Sequence, residues 1–165
     1  MTHVDFMNHV ELPPFEDKGI EWHPGIDRSD PNQPYNPSNT KFFTNNEIYT
    51  PAMDYAKSNF EIFIMAIMKQ MPGQMFPPHT DSYGIFRFKN PEIDVNQVIR
   101  YFVFLEDWHP GHYFEFDKKP VIEWRAGDMI LMNNKTLHCS ANVGSKPKYT
   151  LIITGIPKKA KSKTP

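Results

Sequence analysis

The chain has 165 residues, a formal net charge of −1 and one cysteine. That length suits a single domain with a sizeable core. The near-zero charge gives no general attraction to nucleic acid or anionic membranes, and one cysteine leaves no internal disulfide.

Sixteen prolines and thirteen phenylalanines disfavour long helices and favour strands with irregular connections. Residues 1–59 read as an N-terminal arm. Its start, Met1-Thr2-His3-Val4-Asp5, lacks the basic residues and apolar run of a secretory signal. The longest apolar stretch, Ile62 to Met68, is too short to cross a bilayer, so the expected location is the cytoplasm. Pro13-Pro14, Pro24-Gly25 and the run from Asp30 to Asn39 break regular structure. Leu12, Phe15, Ile20, Trp22, Phe42 and Phe43 are too apolar for a free tail, so the arm should wrap the core. A short helix is predicted from Pro51 to Asn59, with Thr50 as its cap.

From Phe60 the pattern changes to strands. Phe60 to Met68 is a continuous apolar run, as for a strand buried on both faces. Met75–Asp81, Val98–Leu105, Tyr113–Phe116, Val121–Trp124, Asp128–Met132 and Tyr149–Thr154 follow. Turn residues divide them, including Asp117-Lys118-Lys119-Pro120 and Gly144-Ser145-Lys146-Pro147. Short punctuated strands predict an all-β sandwich or barrel over residues 60–156, ahead of a basic tail at 157–165.

The residues that carry chemistry are His79-Thr80-Asp81 and His138. On a strand, positions 79 and 81 share a face. His138 would come from the antiparallel strand pair around 128–140. Two imidazoles and one carboxylate form a facial ligand set for Fe(II), leaving positions for a bidentate 2-oxo acid and O2. On the last strand Lys148, Thr150, Ile152 and Thr154 share one face and Tyr149, Leu151 and Ile153 the other. A lysine on an inward face needs a partner. A ligand carboxylate would supply one, with Thr150 adding a hydroxyl.

Taken together, His79-x-Asp81, His138, Lys148 ten positions later, the strand Arg100–Leu105 before Glu106-Asp107-Trp108, and the segment Trp124–Met132 resemble the Fe(II)/2-oxoglutarate-dependent oxygenases. The resemblance is to the prolyl-hydroxylase-like branch, in its small bacterial and phage forms. It implies a double-stranded β-helix, or jelly roll, of cupin-like architecture. It implies a dioxygenase that couples decarboxylation of 2-oxoglutarate to hydroxylation of a C–H bond, releasing succinate and CO2. By this resemblance His79, Asp81 and His138 would hold iron and act in catalysis, and Lys148, Thr150 and Tyr101 would bind 2-oxoglutarate. The implied substrate is a peptide residue, proline among the candidates, or a small metabolite.

Asp81 stands where radical halogenases of this superfamily carry a small residue, which disfavours halogenation. The stretch Cys139–Gly144 lacks the arginines that nucleic-acid demethylases place after the second histidine. No nucleic-acid or membrane partner is therefore expected. Tyr83, Arg87, Trp108 and His112 are candidates to touch substrate, each also readable as ordinary packing. Met65, Met68, Met71 and Met75 read as core filler. Two other readings of the chain are a cupin-like metalloenzyme that uses no 2-oxo acid and a binding module with no chemistry.

Overall fold

The computed structural model describes residues 7–22, 39–43 and 50–158. Two antiparallel sheets face each other. Ten strands take part: β1 (Met7–His9), β2 (Asn39–Phe43), β3 (Phe60–Gln70), β4 (Met75–His79), β5 (Ile99–Phe104), β6 (His112–Phe116), β7 (Lys119–Val121), β8 (Asp128–Asn133), β9 (His138–Asn142) and β10 (Lys148–Pro157). One sheet has six strands in the order β1-β8-β5-β10-β3-β2, and the other has four in the order β4-β9-β6-β7. This is a jelly roll of the cupin kind. Among the described residues two α-helices accompany it, α1 (Thr50–Asn59) and α2 (Gly84–Lys89), with a single 3-10 turn at Val95–Gln97.

The alternation of side chains along each strand divides the apolar residues between two cores. Between the sheets lie Phe102, Phe104, Phe114, Val121, Trp124, Ile130, Met132 and Ile152. Behind the six-stranded sheet lie Ala52, Met53 and Ala56 of α1 with Phe60, Met65, Ile67, Val103, Leu105, Met129, Leu151 and Ile153. Central β10 therefore has apolar side chains on both faces, and so does β3, as its unbroken run predicts.

The arm packs on this second core. Val10, Leu12, Phe15 and Trp22 lie against it, and β1 joins the sheet edge beside β8. Val10 N donates to Gly127 O at 2.9 Å. At Gly127, φ is +89° and an added Cβ would sit 2.3 Å from Val10 O, so the arm's approach requires glycine there. Asp17 fastens the strap. It accepts from Lys69 Nζ, from Tyr149 Oη at 2.7 Å and from Trp22 Nε1 at 2.5 Å.

The fold departs from the sequence expectations in four places. The arm is less irregular than its prolines suggest, because β1 and β2 extend the larger sheet. The strand expected at Val121–Trp124 lies earlier, at Lys119–Val121. Asp117 and Lys118 both take positive φ, 48° and 63°, and close a two-residue hairpin without the usual glycine. Met71 and Met75 are more than one-third exposed, so only Met65 and Met68 serve the interior. Finally, β8 and β9 are not partners: β8 pairs with β5, whereas β9 pairs with β4 and β6 in the facing sheet. His138 thus arrives after the chain has crossed between sheets. Of the arm's breaker segments, Pro24-Gly25 and residues 30–38 lie outside the described residues, as does the 157–165 tail beyond Lys158.

Candidate metal centre

The first histidine owes its position to two prolines. In β4, Pro77 and Pro78 have no N–H for the ladder, and pairing with β9 is interrupted between Phe76 and His79. Pro77 O instead lies 2.7 Å from His79 Nδ1. A carbonyl only accepts, so Nδ1 carries the proton and Nε2 keeps its lone pair.

The second histidine is built in the same way from a different turn. Asn133 Oδ1 accepts from Lys135 N at 2.8 Å, an Asx turn that ends β8. Thr136 O then lies 3.1 Å from His138 Nδ1. Again Nε2 is the free acceptor. Such backbone contacts are the usual outer-shell support of metal-ligating histidines. Burial holds His138 below the usual histidine range, with Asp81 opposing and the neighbouring His79 reinforcing the shift. The neutral imidazole is the form that binds a metal.

His79 and His138 are directly paired across β4 and β9, with ring centroids 4.3 Å apart. Asp81 lies two residues beyond the end of β4, in a loop, where a strand was expected. Its Oδ1 is 3.9 Å from His79 Nε2 and its Oδ2 is 3.6 Å from His138 Nε2. One donor atom from each residue lies within 4.8 Å of the others. Two open imidazole nitrogens and one carboxylate at this spacing fit a hard or intermediate divalent ion.

Arg100 is the residue that sequence reasoning missed. Its Nη1 donates to Asp81 Oδ2 at 2.6 Å and its Nε to Thr154 Oγ1 at 2.9 Å. Its guanidinium lies over the Tyr83 ring, 5.0 Å from the centroid. The available signal was parity. Arg100, Phe102 and Phe104 alternate inward along β5, so a cation occupies an otherwise apolar inward row.

The same parity corrects Tyr101. It packs behind the sheet against Tyr55 and Phe60, at centroid distances of 6.4 and 5.4 Å. A side chain on that face cannot reach a ligand between the sheets, so Tyr101 is not brought to the candidate site.

Lys148 and Thr150 do face the interior, each 1% exposed. The ammonium donates to Tyr113 O at 2.7 Å, Ser140 Oγ at 2.5 Å and, more distantly, Ala141 O at 3.4 Å. Ser140 lies two residues after His138 on β9, which links the lysine to the metal histidine through one strand. Burial lowers the Lys148 pKa to about 7, with Glu106 opposing. Burial likewise pushes Glu106 up to about 8, against its hydrogen bond from Tyr149 N and the charge of Lys148.

The other flagged residues sit as follows. His112 is buried, with Nε2 at 3.1 Å from Lys146 O and Nδ1 without a hydrogen-bond partner among the described residues. Trp108 donates from Nε1 to His112 O at 2.8 Å. Tyr83 is buried at the start of α2 with φ +50°, an uncommon backbone state for a bulky residue. Arg87 is exposed. Cys139 is half-buried beside His138.

No family model and no curated protein matches the chain. Among solved structures it is similar to a Pseudomonas putida prolyl-4-hydroxylase, with a TM-score of 0.58 and 15% identity over 84% of this chain and 79% of that one. It is also similar to KdgF from Halomonas sp., with a TM-score of 0.49 and 9% identity over 90% of this chain and 96% of that one. A third similar structure is a predicted oxalate decarboxylase from Thermotoga maritima, with a TM-score of 0.45 and 16% identity over 72% and 80% of the two chains. At 15% identity the likeness to the prolyl-4-hydroxylase bears on the fold alone, the jelly roll that the two facing sheets form. Within that fold His79, Asp81 and His138 form a group that could hold a metal. Among the described residues no helix is long and apolar enough to cross a membrane.

Proposed function

We propose that the protein is an Fe(II)- and 2-oxoglutarate-dependent hydroxylase. One observation carries this reading. The open Nε2 atoms of His79 and His138 converge with Asp81 at the same barrel interior that Lys148 enters along β10. That pairs a three-donor metal group with a buried cation of the kind a dicarboxylic 2-oxo acid needs. The likeness to a prolyl-4-hydroxylase fold supports the reading as an analogy.

His79, Asp81 and His138 would hold iron. When bound, iron would activate O2, one atom of which would go to succinate as 2-oxoglutarate loses CO2 and the other to a substrate C–H bond. The chain's own residues do the rest. Pro77 O and Thr136 O orient the imidazoles. Lys148, with Thr150 beside it, would take the far carboxylate. Phe102, Phe104, Phe114 and Ile152 exclude water from the interior. The substrate is a peptide residue, proline among the candidates, or a small molecule, and the reaction belongs to the cytoplasm.

A specific observation favours a second reading. Tyr113 O, Ser140 Oγ and Ala141 O already surround the Lys148 ammonium, as a cupin metalloenzyme with no 2-oxo acid would allow. Anaerobic titration of the protein with Fe(II) and 2-oxoglutarate separates the two. The hydroxylase reading expects a visible charge-transfer band that needs both components and is lost in His138→Ala. Iron bound without a band would establish the second reading, and no iron bound would refute both.

A further inference from the structure

We infer that Arg100 is a substrate-binding residue, and that the molecule hydroxylated here presents a carboxylate to it. This rests on the hydroxylase reading and names the substrate class of that same site. Three observations converge on Arg100. Its guanidinium is held on two sides, by Thr154 Oγ1 at 2.9 Å and by Asp81 Oδ2 at 2.6 Å. Its plane is backed by the Tyr83 ring, 5.0 Å away. Its third nitrogen, Nη2, gives its protons to no described residue, while the side chain keeps 17% of its surface exposed.

Charge then decides what fills that edge. Without a metal, Asp81 is the counter-ion of Arg100. With a divalent ion bound, the ion's charge is balanced by Asp81 and by the chelating carboxylate of the co-substrate. Asp81 is then shared with the metal, and Arg100 is the cation left over at the metal end. A largely buried cation without a partner is costly. A carboxylate restores neutrality and matches the fork of guanidinium donors. Among the described residues no carboxylate other than Asp81 is bonded to Arg100, so the substrate is the component left to bring one. Because Arg100 touches a metal ligand, that carboxylate must lie within a few bonds of the reacting C–H bond. A free amino acid or similar small acid satisfies this; an internal proline or other neutral residue of a polypeptide, whose own carboxyl is an amide, does not.

The test uses the full chain with Fe(II) and 2-oxoglutarate under anaerobic conditions. The readout is the position of the charge-transfer band, without turnover. The probes are the free L-amino acids, each paired with its C-terminal amide. The expected result is a band shift with at least one acid, and an apparent affinity at least about 10-fold weaker for its amide, the loss of one charge-assisted contact. Arg100→Met should form the band and lose the shift by a similar factor, and Arg100→Lys should recover part of it. Equal responses to acid and amide, an undiminished shift in Arg100→Met, or a band that no acid moves would each overturn the inference. If the methionine variant fails to fold, the acid-against-amide comparison and the lysine variant decide. A parent protein that forms no band overturns the hydroxylase reading, and this inference with it.

Discussion

At the metal end of the interior polar atoms are left open, and two residues further along β9, around Lys148, they are used up. His79 Nε2 and His138 Nε2 have their partner nitrogens tied to carbonyls and are free themselves, and Arg100 keeps an unused edge. Lys148, some way along β10 from Thr154, has its ammonium surrounded by three acceptors and the Trp124 ring face at 5.9 Å. Both ends place charge in a low-dielectric interior, where an unpaired group is expensive. The difference is who supplies the pairing. The metal end is completed only by ligands, whereas the lysine end is complete as the chain folds. Under the proposed function a co-substrate carboxylate at Lys148 would therefore replace protein acceptors, with a smaller net gain than a ligand meeting a bare cation.

Substitutions can break this contrast. The largest effect is expected from His138→Ala, which removes one of three metal donors. Its affinity for Fe(II) should fall by more than about 100-fold, measured by equilibrium dialysis, since even outer-shell losses cost about 10- to 100-fold. Lys148→Ala should leave metal binding intact, while 2-oxoglutarate affinity falls about 10-fold or more in calorimetry. The same change leaves Ser140 Oγ and Tyr113 O without their donor, so thermal unfolding should also show a loss of about 1–3 kcal/mol. Unchanged 2-oxoglutarate binding in that variant would make Lys148 a purely structural cation.

The lysine end also predicts a pH signature. Glu106, at about 8 against an ordinary 4.5, keeps its proton in the folded chain after the unfolded chain has lost it. Stability from this group therefore falls as pH rises from about 4.5 to about 8. Lys148, at about 7 against 10.5, gives up its proton first in the folded chain. Stability from this group therefore rises from about pH 7 to about 10.5. The melting temperature should dip between these limbs, and Glu106→Gln should remove the acidic one. A monotonic profile in the parent protein would count against the buried pair. The smallest effect is expected from Tyr101→Phe. It lies on the outer face of β5, so 2-oxoglutarate affinity should change by less than about 2-fold. A larger loss would contradict the face assignment.

Much of this molecule was legible in its residues because strands impose a strict parity. The alternation Lys148, Thr150, Ile152, Thr154 assigned the inward face of β10 correctly, and the turn residues bounded most strands. Parity was available for β5 as well. There the family resemblance points to Tyr101, but the informative residue is the charged Arg100 beside it, in step with Phe102 and Phe104. What could not be read was long-range pairing. Nothing local says that β8 and β9, joined by the short Asn134–Leu137 turn, belong to different sheets. Nor does the arm's proline content reveal that its short strands find open sheet edges, because that depends on which edges the core leaves unpaired.

The Asp17 clasp has a consequence for strand register. Its two partners from the barrel, Lys69 and Tyr149, stand directly opposite each other in the β3–β10 pairing. A carboxylate 132 residues before Tyr149 can collect both donors only after those strands have met in the right register, since a slip of one residue would turn one of them to the other face. The strap thus depends on a contact made across most of the chain. The clasp can therefore be completed only by chains whose first and last core strands are correctly aligned, which ties the arm's docking to strand register.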